Sequence, residues 1–517
     1  MRKEYLPRPS GIPGTNNPRR IYNVAPLEID LGRSSNQFRC LQIPEPNLIF
    51  GGQGSCSDPK TGLALYGPYG SPSLPGNSKI RVGIVGTSDG IDHVTALLHE
   101  ISEPIEQNEN VDCVLHPSFP GMNSQAPFNV SLVTQIEWVR PFDKTKICSL
   151  KEQENRDSRM QRFQEMYANE VRAISKLEDS PHVVLCVLSE SIKPFIEVNT
   201  ASGATDCEPT DQNFPDTPDR ATHRFNHRFR SGLKAACMGT LPTELIWHGM
   251  DSRMSASGSR ATLAWNFSLA ILKKAGVTSW KLANTAEASC FIGISFYHDL
   301  LNGSSPIQRS FAHVFTERGD GFVVTGERVE TCSEGNRDEQ NNLSAESAKN
   351  LLKRALAVFE KHAGFSPRKV TVHKATPYSG AERQGFESAL SKVPNFGLMT
   401  ISKGGIACVR PGRAPILRGT AIPFDEKTGL VATSGYVPFL RGSWGNDMSH
   451  PVEIAENWGS ITFRQAAEDL MRLTKLDLNS SDFCSDLPIT MSRCTGIGKV
   501  LTGLGQKEAS TSDNYYV

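Results

Sequence analysis

Residues 290–299 read Cys-Phe-Ile-Gly-Ile-Ser-Phe-Tyr-His-Asp, an apolar run that predicts a buried β-strand. Two further β-prone runs, residues 310–316 and 321–328, follow after turn-forming residues, so the three together predict an antiparallel meander. Hydrophobic residues at helical spacing then predict a helix over residues 345–361. A fourth strand is predicted over residues 369–375, and this part of the chain is therefore expected to be α/β.

Three strands, a helix and a fourth strand form the opening order of an RNase H-like sheet, although ordinary α/β domains can share that order. Nucleases with this fold hold two divalent metal ions through Asp residues at the ends of the first and fourth strands, because Mg²⁺ and Mn²⁺ require anionic oxygen ligands. In this chain those positions carry Ser295 and Ala375. A hydroxyl and a methyl group cannot replace two carboxylates, so we expect a domain that holds nucleic acid without cutting it.

The charge of the chain is balanced overall but unevenly distributed. Its 517 residues include 55 Lys and Arg and 55 Asp and Glu, and a chain of this length is expected to form two or three domains. Residues 220–281 contain ten Lys and Arg against two acids, Glu244 and Asp251. This local excess of positive charge favours a polyanionic ligand, although most charge runs are solvated surface.

Cysteine spacing and hydropathy exclude several other classes of protein. The 12 cysteines form no Cys-x-x-Cys pair and no His/Cys group at zinc spacing, so neither a zinc site nor a disulfide framework is predicted. The first residues lack the apolar core of a signal peptide, and no run is long enough to span a membrane. We therefore expect a soluble, cytoplasmic protein with reduced thiols.

The first half of the chain has a different pattern from the second. Residues 1–45 are rich in Pro, Asn and Arg and are predicted to form an extended arm. Strands predicted at residues 80–86 and 182–188 alternate with helices at residues 92–101 and 160–177, which is a Rossmann-like layer order. The glycines after the first of these strands do not have the dinucleotide-binding spacing, so a nicotinamide enzyme is not expected.

Two predicted helices carry basic residues that can converge. Arg230 and Lys234 are four residues apart and therefore project from one helix face, and Lys274 ends a second amphipathic helix. Such a pair of helix faces would suit a terminal phosphate, which carries more charge than an internal diester. His223 and His227 lie on the same stretch, although a lone histidine is more often structural.

Several short motifs, taken in order, resemble the prokaryotic Argonautes. Arg-Ser-Gly-Leu-Lys at residues 230–234, Leu-Pro-Thr-Glu-Leu-Ile at 241–246, and the stretch from Trp-Asn at 265 to Trp280 resemble their MID domain. Residues 58–68 resemble the MID entry of the short Argonautes, which lack N and PAZ domains, and residues 473–490 resemble the end of the PIWI domain. The resemblance covers roughly residues 46–505.

The resemblance implies an architecture for the whole chain. We expect an α/β protein in which an N-terminal arm (1–45) precedes a Rossmann-like MID domain (46–284) and an RNase H-like PIWI domain (285–517) with a degenerate catalytic site. The family's catalytic positions correspond to Ser295, Ala375 and approximately Thr495, and its glutamate finger has no identifiable counterpart. These losses predict that the chain is not an enzyme and holds no catalytic metal.

The resemblance also implies ligand-binding residues. The family's phosphate-binding lysines correspond to Lys234 and Lys274, with Arg230 beside them, and Glu244 takes the position of a family glutamine. An ionised Glu244 would repel a phosphate unless a metal bridged the two or the side chain turned toward Arg230, and the resemblance allows Mg²⁺ at the guide 5′ end.

Two further positions are assigned to nucleic-acid backbone contacts on the same basis: Lys475 and Asn479.

The implied function is that of a guide-binding subunit in a prokaryotic defence complex. Its partners would be a 5′-phosphorylated guide RNA, a single-stranded DNA target and an APAZ-domain protein carrying an effector: a TIR or sirtuin-like NAD-degrading domain, or a nuclease. An active guided nuclease that uses displaced acids such as Asp299, Asp320 or Glu327 is the first alternative. A scaffold that binds no guide is the second.

Overall fold

The computed structural model describes residues 40–70, 78–107, 114, 116–151, 156–189, 192, 219–247, 260–283, 288–299, 307–329, 342–408, 415–444, 450–504 and 507–517. The strands of the first half are β1 (Leu41–Gln42), β2 (Leu48–Ile49), β3 (Ser55–Cys56), β4 (Ser78–Gly86), β5 (Val130–Val133), β6 (Val139–Pro141), β7 (Val183–Leu188), β8 (Thr243–Trp247) and β9 (Lys281–Leu282). The helices of this half are α1 (Pro59–Tyr66), α2 (Ser88–Glu100), α3 (Lys144–Lys151), α4 (Arg156–Ser175), α5 (Asp219–Ala236) and α6 (Arg260–Lys274).

The sheet of the first domain is parallel and is covered by helices. Its strands run in the order β5-β4-β7-β8, and β6 also pairs with β4. Every residue of β7, Val-Val-Leu-Cys-Val-Leu, is buried, as expected for a central parallel strand that packs against helices on both faces. The predicted strands, the helix stripe ending near residue 177 and the Rossmann-like layer order are confirmed.

The second half contains strands β10 (Ser289–Asp299), β11 (Ile307–Thr316), β12 (Gly321–Arg328), β13 (Lys369–Lys374), β14 (Asn395–Lys403), β15 (Thr420–Pro423), β16 (Gly429–Val431), β17 (Gly435–Val437), β18 (Gly442–Trp444) and β19 (Val452–Gly459). Its helices are α7 (Ala345–Ala363), α8 (Gly380–Ala389), α9 (Phe463–Leu473), α10 (Ile489–Ser492) and α11 (Cys494–Leu504).

The larger sheet has the strand order β1-β15-β16-β19-β14-β13-β10-β11-β12 among the described residues. Strands β10, β11 and β12 form the predicted antiparallel meander, and β13 and β14 run parallel to β10 and to each other in turn. Helix α7 begins at the cap residue Ser344 and ends at Gly364, whose φ of 82° suits a residue without a side chain. This order confirms the RNase H-like topology predicted from the sequence.

The predicted arm ends earlier than expected. Within it, β1 pairs with β15 at the edge of the larger sheet, and Ile43 is 1% exposed in the core beneath that sheet. Glu45 forms ion pairs with Arg418 and Lys475. Residues 40–45 are therefore part of the second domain, whereas residues 1–39 lie outside the described part of the chain.

The last elements of the chain pack against both domains. Helix α11 packs against α5 of the first domain and against β10 of the second. A 3₁₀ helix at Asp513–Tyr515 follows, and Ser512 forms a bridge with Phe322 of β12. The indole nitrogen of Trp280 donates to the carbonyl of Lys475 at 2.7 Å. No helix in the described ranges combines the length and apolarity needed to cross a bilayer.

Candidate nucleic-acid interface

The basic residues predicted from the sequence meet where the two domains join. Arg230 and Lys234 lie one turn apart on α5, which the buried side chains of Phe229 and Leu233 anchor in the first domain. Lys274 is the last residue of α6, a helix whose side chains are nearly all buried. Because both helices end at the same edge of the parallel sheet, three cationic side chains reach one place.

Glu244 on β8 lies among these cations. Its Oε2 is 2.5 Å from Nζ of Lys274, and its Oε1 is 3.7 Å from Nη2 of Arg230. The Lys274 side chain is 0% exposed and that of Glu244 is 14% exposed. The carboxylate therefore turns toward both cations and pairs more closely with Lys274. We call Arg230, Lys234, Lys274 and Glu244 the junction pocket.

Lys234 has a different environment from Lys274. It is 4% exposed, and its Nζ donates to the carbonyl oxygen of Tyr516 at 3.1 Å. Among the described residues no carboxylate forms an ion pair with it. Burying an ammonium is costly, and the charge of Glu244 acts on Lys234 without a direct ion pair, so an anion bound at this position would be favoured.

The pKa values of the junction pocket follow from burial and from mutual charge. Burial lowers the pKa of Lys274 and, more strongly, that of Lys234. Burial alone would raise the pKa of Glu244, but the neighbouring cations, Lys274 first, outweigh it and hold that pKa at about 2. Glu244 is therefore a carboxylate at neutral pH.

Sequence reasoning missed a fourth cation at this place. Arg493, directly before α11, donates from Nη2 to both carboxylate oxygens of Asp477 at 2.5 and 2.6 Å. Its positive charge lowers the pKa of Lys234 and of Lys274. No spacing rule joins Arg493 to residues on α5 and α6, because the fold alone brings these segments together.

A second missed cluster joins the domains beside the junction pocket. Nζ of Lys273 lies 3.0 Å from Oδ1 of Asp513, and Nε2 of His313 lies 3.6 Å from the other carboxylate oxygen. Burial alone would raise the pKa of Asp513, and the cation of Lys273 with the His313 bond lowers it to about 2. This cluster holds the last residues of the chain against both domains.

The three predicted degenerate catalytic positions lie at one end of the larger sheet. Strands β10 and β13 are in parallel register up to Gly293 opposite His373, so Ser295 and Ala375 each lie two residues beyond that pair. Ser295 is half-buried and forms a side-chain hydrogen bond with Cys494, and Thr495 follows that residue at the start of α11. Ala375 lies one residue after β13, and Ala375 and Thr495 are both exposed.

The face of the sheet beneath these positions is closed by α10. Nδ1 of His373 lies 2.7 Å from Oγ1 of Thr490 inside the protein. A Cβ added to Gly293 would overlap the carbonyl oxygen of Thr490. On the opposite face of β13, Lys374 is buried and its Nζ pairs with Glu382 at 2.7 Å. Among the described residues, the groups that α10 and the start of α11 place on the Gly293 face, Thr490 and Cys494, are neutral.

The acids proposed as displaced ligands do not converge on this place. Asp320 lies in the turn between β11 and β12 and accepts a bond from Thr316, which is paired with the opposite end of β10. Glu327 accepts bonds from Ser347 and Asn350 of α7, on the far side of the sheet. The side chain of Asp299 lies outside the described residues. In the described ranges no three His, Cys, Asp or Glu side chains are grouped as a metal site.

The two predicted backbone contacts, Lys475 and Asn479, lie in different surroundings. The Lys475 side chain is 0% exposed, its Nζ lies 2.8 Å from Oε1 of Glu45, and it donates to the carbonyl of Ser57 at 3.0 Å. It also lies 3.0 Å from the ring centroid of Phe483. This ammonium is therefore paired inside the protein, and its role as a backbone contact stays a prediction. Asn479 is half-buried, and its role stays a prediction.

Two other expectations concern the junction pocket. The side chains of His223 and His227 lie outside the described residues. The pocket donors by themselves do not fit Mg²⁺, because Glu244 is already paired and cations surround it. Mg²⁺ at a guide 5′ end therefore stays a prediction that depends on oxygens from the guide.

Comparisons with known proteins bear on the fold. No family model and no curated protein matches the sequence. Among solved structures, Argonaute of Clostridium butyricum bound to a guide DNA with a 5′ deoxycytidine and a 19-mer target DNA matches with a TM-score of 0.60 at 12% identity, covering 93% of this chain and 55% of that one. Aquifex aeolicus Argonaute matches with a TM-score of 0.53 at 12% identity, covering 94% of this chain and 57% of that one.

A further structure of Aquifex aeolicus Argonaute, with externally bound siRNA, matches with a TM-score of 0.54 at 13% identity and covers 94% of this chain and 56% of that one. The chain therefore spans a little more than half the length of these Argonautes. Its parallel first sheet and its RNase H-like second sheet agree with the fold class that the sequence predicted. The fold of this chain is the MID and PIWI fold of the Argonautes.

Proposed function

We propose that this protein is the guide-binding subunit of a prokaryotic defence complex, and that it recognises single-stranded DNA through a 5′-phosphorylated guide RNA. The observation that carries the proposal is the junction pocket, where buried cations from two helices meet at the contact between the domains. The fold supports it, because the matched Clostridium butyricum structure holds a guide and a target. Guide pairing would supply sequence specificity, while the protein would contact backbone and 5′ end.

The chain is proposed to bind its target without cutting it. Ser295, Ala375 and Thr495 supply no carboxylate at the strand ends, and two-metal hydrolysis requires several. The readout would then be a conformational change: duplex formation shifts the protein toward a state that an APAZ-domain partner contacts differently. The partner would carry the enzymatic effector, either an NAD-degrading TIR or sirtuin-like domain or a nuclease.

The guide-binding step is tested with Lys234→Ala. Binding of one RNA sequence with a 5′ phosphate or a 5′ hydroxyl is measured by filter binding at several salt concentrations. The variant should lose on the order of 1.5–3 kcal/mol of binding free energy for the phosphorylated guide and much less for the hydroxyl guide. Lys353→Ala, an exposed lysine on α7, is the matched control.

An equal loss for both guides would contradict the assignment of the junction pocket to the 5′ end. Failure of the native protein to bind any single-stranded RNA would contradict guide binding altogether, and the scaffold alternative would then stand. The partner step is tested by determining whether a neighbouring gene encodes an APAZ-domain protein and by co-expressing that protein with this chain, where a stable heterodimer is expected. Guide-dependent target recognition by the isolated chain at full strength would argue against an obligate partner.

A further inference from the structure

The junction pocket contains a built-in anion where a phosphate would have to bind. The carboxylate of Glu244 lies 2.5 Å from Nζ of Lys274. The Lys274 side chain is fully buried, so its ammonium has little other room for a ligand. A phosphate that approached Lys274 would meet an existing ion pair and a like charge.

The other two cations are not occupied in the same way. Nζ of Lys234 donates to the carbonyl oxygen of Tyr516 at 3.1 Å. Among the described residues, no carboxylate lies within ion-pair distance of this ammonium. Arg230 is 37% exposed and only 3.7 Å from Glu244 at its nearest nitrogen. An incoming phosphate can therefore pair with these two cations first. It can reach Lys274 only after the carboxylate moves away.

We propose that Glu244 sets the end preference of the junction pocket, as an internal counter-ion that a 5′ phosphate must displace from Lys274. The native protein then discriminates between phosphorylated and hydroxyl guides less than its cations alone would. This inference rests on the proposed guide binding and specifies how the pocket reads the guide end. Glu244 is ionised at neutral pH because the neighbouring cations hold its pKa at about 2.

The test compares native protein, Glu244→Gln and Glu382→Gln in EDTA-containing buffer. Glutamine keeps the size of the side chain and removes the charge. Glu382 is the matched control, because it is also a buried glutamate paired with a lysine, at 2.7 Å from Lys374. The measured quantity is the ratio of dissociation constants for the 5′-hydroxyl and 5′-phosphate forms of one RNA.

Glu244→Gln should raise that ratio on the order of tenfold or more, mainly through tighter binding of the phosphorylated guide. Glu382→Gln should leave the ratio at its native value. An unchanged or smaller ratio in Glu244→Gln would overturn the role of Glu244. A native protein that binds neither guide would instead overturn the proposed function, so the two failures are distinguishable.

A second comparison separates displacement from general repulsion. Lys274→Met and the double variant Lys274→Met/Glu244→Gln are compared in the same assay. If Glu244 acts by occupying Lys274, its substitution should raise the ratio much less when Lys274 is absent. An equal rise in both backgrounds would show that the carboxylate merely repels the phosphate, and would overturn the displacement proposal.

Discussion

The junction pocket and the strand ends of the larger sheet are the two candidate sites of this molecule, and they differ in charge. The pocket keeps buried cations and a buried carboxylate, although burying each charge is costly. The strand ends carry Ser295 and Ala375, with neutral Thr490 and Cys494 beneath them. The nearest buried ion pair at the strand ends, Lys374 with Glu382, lies on the opposite face of β13. The two regions therefore differ in where buried charge is placed.

The largest expected effect in this comparison concerns Lys274 in the junction pocket. Lys274→Ala leaves the largely buried carboxylate of Glu244 with the more distant Arg230 and Lys234, and breaking a buried ion pair in this way costs about 3–5 kcal/mol of unfolding free energy. Urea denaturation followed by tryptophan fluorescence measures this loss. Adding Glu244→Leu should recover much of it, because the unpaired charge is then gone. A stable single variant would show that the pair is not energetically coupled.

The second prediction concerns pH and the histidine beneath the strand ends. Burial, with the positive charge of Lys369, lowers the pKa of His373 to about 3. His373 takes up a proton near pH 6.5 in the unfolded chain but not in the folded chain. Its contribution to the free energy of unfolding is therefore fully present above pH 6.5 and is lost as the pH falls toward 3. The slope should be about 1.4 kcal/mol per pH unit in this window.

His373→Gln should remove that component from the curve of unfolding free energy against pH. Glu244→Gln should leave it unchanged and act at lower pH instead. The pKa of Glu244 is about 2, below its ordinary value of 4.5, so its contribution is present above pH 4.5 and is lost as the pH falls from 4.5 to 2. If both variants removed the pH dependence of the unfolding free energy between pH 6.5 and 3, His373 and Glu244 would not titrate independently.

The third prediction concerns how tightly α10 closes the face beneath the strand ends. Gly293→Ala places a methyl group against the backbone carbonyl of Thr490, which cannot rotate away, and overpacking of this kind costs about 1–3 kcal/mol. Thermal unfolding measures the loss. Gly496→Ala is the matched control, because its added Cβ meets nothing within 4 Å and alanine favours α11 by about 0.5–1 kcal/mol. Equal stability of the two variants would mean that α10 shifts to accommodate the added methyl group at little energetic cost.

The elements of both sheets were predictable because each has a clear hydrophobic period. Strand β7 is apolar throughout and α7 has an apolar stripe with a cap at each end, so their sequences alone indicate their structures. Strand β1 was missed because two residues carry no period, and only pairing with β15 makes them a strand. Residues 40–45 were therefore assigned to an arm instead of to the sheet.

Only part of the junction pocket could be predicted from the sequence, because local spacing does not show contacts between distant segments. Arg230 and Lys234 share one helix face, which spacing shows, but the ion pair of Glu244 with Lys274 requires the tertiary structure. Lys475 resembled a backbone contact in its local motif, yet its partner Glu45 comes from a distant segment and buries it. Charge patterns within a segment are visible in sequence, whereas counter-ions supplied by another segment are not.

The smallest expected effect comes from restoring carboxylates at the strand ends. Ser295→Asp with Ala375→Asp places two acids on adjacent parallel strands, but Thr495 still supplies no ligand and no glutamate has been identified to complete the set. Two carboxylates are too few to hold two metal ions in line with a scissile phosphate. We therefore expect no defined cut when guide and complementary DNA are incubated with Mg²⁺ or Mn²⁺ and either the native protein or the double variant. A cut made by the native protein at a fixed distance from the guide 5′ end would give the opposite result. The strand ends would then be catalytic, and the nuclease alternative would replace the proposed function.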